Sequence, residues 1–169
     1  TVGQSIRALT RLGADFMTLH GTGGRAMMEA AAEAVRDEAE KLRIERPRLL
    51  AVTVLTSIDE DAWKEIGGRD NIADSVKNLA RLAKEAGIDG TVSSPYEAKE
   101  IRSMNGPEFL IVTPGIRPTF AVANDQKRFT TPSQALRDGA SHLVIGRPIT
   151  KADDPKEAAA KILAEIQGV

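Results

Sequence analysis

Three segments late in the chain hold the residue types that grip a phosphate. They are Thr113-Pro114-Gly115-Ile116-Arg117-Pro118, Asp125-Gln126-Lys127-Arg128 and Val144-Ile145-Gly146-Arg147-Pro148-Ile149. A phosphate dianion needs converging donors and no side chain in the way. Glycine lets backbone N–H groups approach closely because it lacks a Cβ. Arginine offers a planar fork of donors matched to phosphate oxygens. Gly115 and Gly146 follow short apolar, β-branched runs bounded by Gly and Pro, Phe109 to Val112 and Leu143 to Ile145, which read as buried strands. In open α/β sheets ligands bind at the C-terminal ends of strands, so these two ends are expected to build a phosphate cup. Either Gly-Arg pair alone is equally readable as turn chemistry beside a solvated charge. Gln126 is the best inward-facing candidate of its segment, since an amide donates to phosphate and accepts from backbone at once; Lys127 and Arg128 also fit a solvated surface.

Polar groups at other strand ends could line the same site. The run Leu49 to Leu55 ends in Thr56-Ser57, hydroxyls suited to a planar heterocycle, although Ser57 with Glu60 also fits a helix cap. His20 opens the turn His20-Gly21-Thr22-Gly23-Gly24, which matches neither a Walker pattern nor a strict dinucleotide fingerprint. His20 is read as lining the site rather than as a catalyst, with a purely structural role as the alternative.

The elements that position these groups alternate. Thr1 and Gln4 form a capping-box pattern before Val2, Ile6, Leu9 and Leu12 at helical spacing, ended by Gly13. Strands are expected over 14–19, 49–55, 88–92, 109–112 and 141–145. Helices are expected over 25–42, 59–66, 72–86, 95–104, 132–138 and 155–166. Leu49 to Leu55 is near-continuously apolar, as a parallel strand covered on both faces should be. Alternation of this kind predicts a parallel α/β sheet. The stretch 115–131, holding both Arg117 and Gln126, exceeds the length of an ordinary connection and is expected to be functional.

Composition bounds the rest. The 169 residues, 41% hydrophobic and 28% charged, suit one globular domain, and a net charge of -1 argues against nucleic acid or an anionic membrane as partner. With no cysteine and only His20 and His142, no disulfide framework, thiolate site or sequence-evident metal motif exists. No apolar run is long enough to span a membrane or to serve as a signal peptide, so a cytoplasmic protein is expected.

At this spacing the Thr-Pro-Gly-Ile-Arg-Pro segment, the Asp-Gln-Lys-Arg segment with its following Thr-Pro, and Val-Ile-Gly-Arg-Pro-Ile resemble the orotidine 5'-phosphate decarboxylase family of bacterial type, over essentially the whole chain. The resemblance implies a (β/α)8 TIM-type barrel, of which 1–169 is a single-domain part supplying strands 4 to 8 and lacking the first three. Such barrels run to roughly 250 residues and hold phosphate after the seventh and eighth strands. It implies conversion of orotidine 5'-monophosphate to UMP and carbon dioxide in pyrimidine synthesis, by a homodimer without metal or organic cofactor.

The family's catalytic segment, Asp-x-Lys-x-x-Asp-Ile-Pro-x-Thr, has only its final Thr here, as Thr1. In that family the lysine protonates the carbanion that forms as carboxylate leaves. Its lysine and aspartates are expected before Thr1, so none of the catalytic residues lies within the chain. A sequence that opens on a helix cap without Met reads as a fragment or as one trimmed of its initiator. The matching positions are Thr1 (substrate contact), Thr56 (pyrimidine side), and Arg117, Gln126, Gly146 and Arg147 (phosphate side), with His20, Ser57 and Pro114 lining the site. Two other readings stay open. One is a non-catalytic partial barrel that binds nucleotide or phosphate. The other is a metal-dependent hexulose-phosphate synthase-like enzyme, against which Arg117 and Asp125-Gln126 weigh.

Overall fold

A computed structural model describes residues 1–121 and 130–167. In chain order the elements are α1 (Val2–Thr10), β1 (Phe16–His20), α2 (Arg25–Leu42), β2 (Arg48–Val52), α3 (Glu60–Glu65), α4 (Ile72–Glu85), β3 (Gly90–Val92), α5 (Ala98–Asn105), β4 (Leu110–Thr113), α6 (Pro132–Arg137), β5 (His142–Leu143), α7 (Arg147–Thr150) and α8 (Pro155–Ile166). Side-chain caps start several helices. Asp59, Asn71, Thr131 and Asp154 accept from the N–H groups of Ala62, Asp74, Gln134 and Glu157, each satisfying a donor with no partner inside its helix. The capping box expected at Thr1 does not form; its carbonyl accepts from Ser5 instead. Asp59, not Ser57, caps α3.

All strand pairs are parallel and in chain order, β1-β2-β3-β4-β5. A flat sheet would separate β1 from β5 by roughly 19 Å. Yet the rings of Phe16 on β1 and His142 on β5 meet edge-to-face with centroids 5.2 Å apart. The sheet therefore curls strongly, and its outer strands face each other across the concave side. Alternation puts Met17, Leu19, Leu49, Ala51 and Ile111 on the convex side, where they pack with Met28, Val35, Val76 and Ile101 of the helices in the main core. The other set, including Phe16 and Leu50, lines the concavity. Leu50 is buried there, while Phe16 and Val144 remain 41% and 50% exposed near the outer edges.

The N-terminal ends of the strands are tied by polar side chains. Asp89, before β3, accepts from Arg46 and from the Leu49 N–H, and Arg102 donates to the carbonyls of Gly106, Phe109 and Gly139 that lead into β4 and β5. Ser141 Oγ accepts from the Ile111 N–H at 2.8 Å.

Several boundaries differ from the sequence expectation. β2 stops at Val52 instead of Leu55; the Thr53 N–H still donates to the Val92 carbonyl, and the chain leaves the sheet at Val54 and Leu55, the first buried and the second exposed. β5 is two residues long. The short helix α7 was not expected, because a single turn has no periodicity to read. The stretch 115–131 is structured near both ends: a 3₁₀ turn spans Thr119–Ala121, and Ile116 bridges Thr130.

Candidate functional site

The C-terminal strand ends carry two clefts, and the segment Pro114 to Arg117 contributes to both. The first, about 250 Å³, is lined by Thr56, Ile58, Ser94, Glu97, Pro114 and Gly115 among others. Thr56 lies in a turn rather than on a strand edge, so its side chain is exposed to the cleft without engagement in the sheet. A smaller adjoining hollow places Ser57 and Ser93 beside Thr56 and Pro114. The inner hydroxyls of this region are already engaged: Thr53 Oγ1 donates to the Val92 carbonyl at 3.1 Å and lies 3.3 Å from Ser93 Oγ. Burial pushes the Glu97 carboxyl above the usual carboxylate range, against hydrogen bonds from Ser94 that favour its charged form. This cleft combines apolar walls with a few polar groups, the character of a small-molecule site.

The second cleft, about 470 Å³, is lined by Arg117, Arg147, Lys151, Phe120, Pro148 and neighbouring alanines. Arg117 is fixed at its backbone, where its N–H donates to the Thr130 carbonyl at 3.0 Å between the fully buried Ile116 and Pro118. Among the described residues its guanidinium reaches the carbonyl of Ile116, at 3.2 Å, and no other acceptor. Glu165 of α8 accepts from the N–H and hydroxyl of Thr119, both at 3.2 Å, which anchors the chain just beyond Arg117.

Gly146 caps α7 through its backbone, its carbonyl accepting from Ile149 and Thr150. A Cβ at Gly146 would meet no atom of the described residues within 4 Å, so packing does not require glycine there. Gly115 is different, holding a left-handed φ of 77° that an L side chain rarely adopts. Two guanidinium groups lining one cleft, with Gly146 next to Arg147 in the chain, can bind a phosphate ester.

The structure sorts the expected site residues into groups. Thr56, Ser57 and Pro114 converge on the first cleft region, while Arg117 and Arg147, with Gly146 beside them, converge on the second. Thr1 and His20 line neither cleft. Thr1 is exposed at the start of α1, and His20 is exposed at the end of the edge strand β1, in register with Val52 of β2. Gln126 lies outside the described residues. Ser94, Glu97 and Lys151 were missed, although Ser94-Pro95-Tyr96-Glu97 has the Ser-x-x-Glu capping pattern just after a strand. Among the described residues no cluster of three His, Asp or Glu side chains could hold a metal ion, and no helix is long and apolar enough to cross a membrane.

Comparison with known proteins gives one consistent result. Residues 1–162 match the Orotidine 5'-phosphate decarboxylase / HUMPS family. The orotidine 5'-phosphate decarboxylase of Moorella thermoacetica is 53% identical over 170 residues, which cover all of this chain and 68% of that protein. The enzyme of the same name from Trichlorobacter lovleyi is 53% identical over 98% of this chain and 68% of its own length. The crystal structure of orotidine 5'-phosphate decarboxylase from Lactobacillus acidophilus superimposes with a TM-score of 0.84 at 40% identity, covering 98% of this chain and 69% of that one.

Proposed function

The chain belongs to the orotidine 5'-phosphate decarboxylase / HUMPS family, and on that premise we propose that it carries the phosphate-binding and pyrimidine-side part of an orotidine 5'-phosphate decarboxylase. The whole enzyme would be a carbon–carbon lyase of pyrimidine biosynthesis, cytoplasmic and homodimeric. Its (β/α)8 barrel would take β1 to β5 as strands 4 to 8. The curled, sequentially ordered parallel sheet supports that assignment. No Asp-x-Lys-x-x-Asp segment occurs within the chain, so decarboxylation is proposed for a polypeptide that also contains one.

The observation that carries this reading is the meeting of Arg117 and Arg147 on one cleft beside the open Gly146, next to the cleft of Thr56 and Pro114. In the proposed complex the 5'-phosphate lies against the two guanidinium groups and the backbone N–H groups of Gly146 and Arg147. The base lies toward Thr56, whose hydroxyl bonds a polar edge of the ring, with Ser57 and Pro114 along the wall. Gln126 adds a phosphate donor from the loop, and Thr1 and His20 border the site from the side of β1. Phosphate is remote from the bond that breaks. Gripping it accelerates the reaction only if that binding energy helps to close the loop, exclude water and align the base.

Arg147→Ala tests this. UMP affinity is expected to fall about 10- to 100-fold, the worth of a charge-assisted, forked contact. Uridine binding should be unaffected, and in a polypeptide that contains the catalytic segment kcat/KM should fall as well. An unchanged UMP affinity would refute the assignment. UMP binding without turnover in that longer polypeptide would favour the non-catalytic reading. Magnesium-dependent turnover of a hexulose phosphate would favour the synthase-like one, which the breadth of the family keeps open.

A further inference from the structure

Among the described residues the second cleft holds one cation more than the phosphate reading uses. Lys151 lines it together with Arg117 and Arg147, and none of the described residues lining it is acidic. Lys151 follows Arg147 by one helical turn, and its backbone N–H donates to the Arg147 carbonyl at 3.0 Å, so α7 presents both cations to the same space.

Asp153, two residues on, is exposed and, among the described residues, makes no ion pair with Lys151; three other acids nearby are engaged elsewhere. Asp154 accepts from the Glu157 N–H, Glu157 pairs with Lys161, and Glu165 holds Thr119. Among the described residues Lys151 has no carboxylate at ion-pair distance, whereas Lys77 and Lys161 do. A lysine at a helix C-terminus commonly answers the helix dipole, but a single turn has little dipole to answer.

From this we infer that Lys151 is a third binding residue of the anion cleft. It is an outer charge that captures an incoming phosphate monoester dianion before Arg117 and Arg147 take hold of it. The inference rests on the phosphate reading of the same cleft. Because Lys151 is exposed, its effect falls on encounter rather than on the settled complex. A rim charge changes association rate and salt dependence more than dissociation, and fields from clustered charges of one sign raise the local concentration of the opposite ion.

The test is stopped-flow binding of UMP to the purified protein and to Lys151→Gln, Lys151→Arg and Arg147→Ala. At low ionic strength Lys151→Gln should associate about three-fold more slowly, the range expected of one exposed charge pair. Its dissociation rate should be nearly unchanged, and the difference should vanish at about 0.5 M salt, where screening acts within a few ångströms. Lys151→Arg should restore the rate. If Lys151→Gln associates at the unaltered rate in low salt while Arg147→Ala loses affinity, the inference about Lys151 is wrong and the phosphate reading stands. If Arg147→Ala also binds UMP normally, both fall together.

Discussion

Arg102 and Arg147 sit at opposite ends of one sheet and use the same side chain in opposite ways. At the N-terminal ends of the strands, Arg102 is consumed by the fold: its guanidinium donates to the carbonyls of Gly106, Pro107, Phe109 and Gly139. Asp89 is saturated likewise, by Arg46, by the Leu49 N–H and by the nearby Arg48. At the C-terminal ends, Arg117 reaches, among the described residues, one carbonyl of its own segment, and Arg147 and Lys151 line the second cleft. Polar groups at one rim satisfy the backbone; at the other, Arg117, Arg147 and Lys151 line a cleft. In barrels the same division puts stability at the N-terminal face and chemistry at the C-terminal face.

Substitutions at the two rims test that contrast. The largest effect is expected at Arg102→Ala, which strands several backbone carbonyls at once. A loss of about 3 kcal/mol is expected, lowering Tm by roughly 10 °C, with the UMP affinity of the folded protein unchanged. Thermal melting paired with titration checks both halves, and a loss of affinity without destabilisation would erase the distinction between rims. Arg147→Ala is the mirror case, reducing affinity while Tm holds within about 1 °C, as surface changes usually do.

Asp89→Asn comes next, at about 2 kcal/mol near pH 7. Burial alone would raise this carboxyl's pKa, but Arg46, the Leu49 N–H and Arg48 hold it below the ordinary range. A group with a lowered folded pKa contributes its stability above the unfolded value, about 3.9, and loses it as pH falls through the folded value. The gap between the parent protein and Asp89→Asn should therefore narrow steadily below about pH 4. Denaturant melts across that range would show a constant gap if the pair were unimportant.

The smallest effect belongs to Glu97→Gln at the first cleft. Burial raises the Glu97 pKa, so its ionised form is the disfavoured one in the fold. Stability is then highest below the unfolded value and declines as pH rises through the folded value. The amide keeps an acceptor for Ser94 and removes the charge, so Tm should rise by about 1–2 °C at pH 8 and not at pH 4. A fall in Tm at pH 8 would mean that the carboxylate belongs to the stabilising set, as at the opposite rim.

Much of this architecture could be read in the residues, and the failures have physical causes. The run Leu49-Leu50-Ala51-Val52-Thr53-Val54-Leu55 reads as one strand because hydrophobicity reports burial and not hydrogen bonding. In the fold Val54 belongs to the main core and itself lines the first cleft, outside β2. The cap at Thr1 failed although its spacing was right, and the cap at Asp59 formed because its carboxylate reaches the Ala62 N–H. Lys151 went unnoticed because a lone lysine after a Gly-Arg-Pro motif has no signature of its own.

By itself the sequence determined the alternation of strands and helices and the parallel sheet. It also placed Gly115, Arg117, Gly146 and Arg147 beyond strand ends, since apolar period, turn chemistry and caps are local properties of the chain. Only the tertiary structure decided the curl that brings Phe16 against His142 and the gathering of Arg117, Arg147 and Lys151 on one cleft apart from Thr56. Those are distances between residues remote in the chain. They follow from how the strands stack and twist, which no local pattern records.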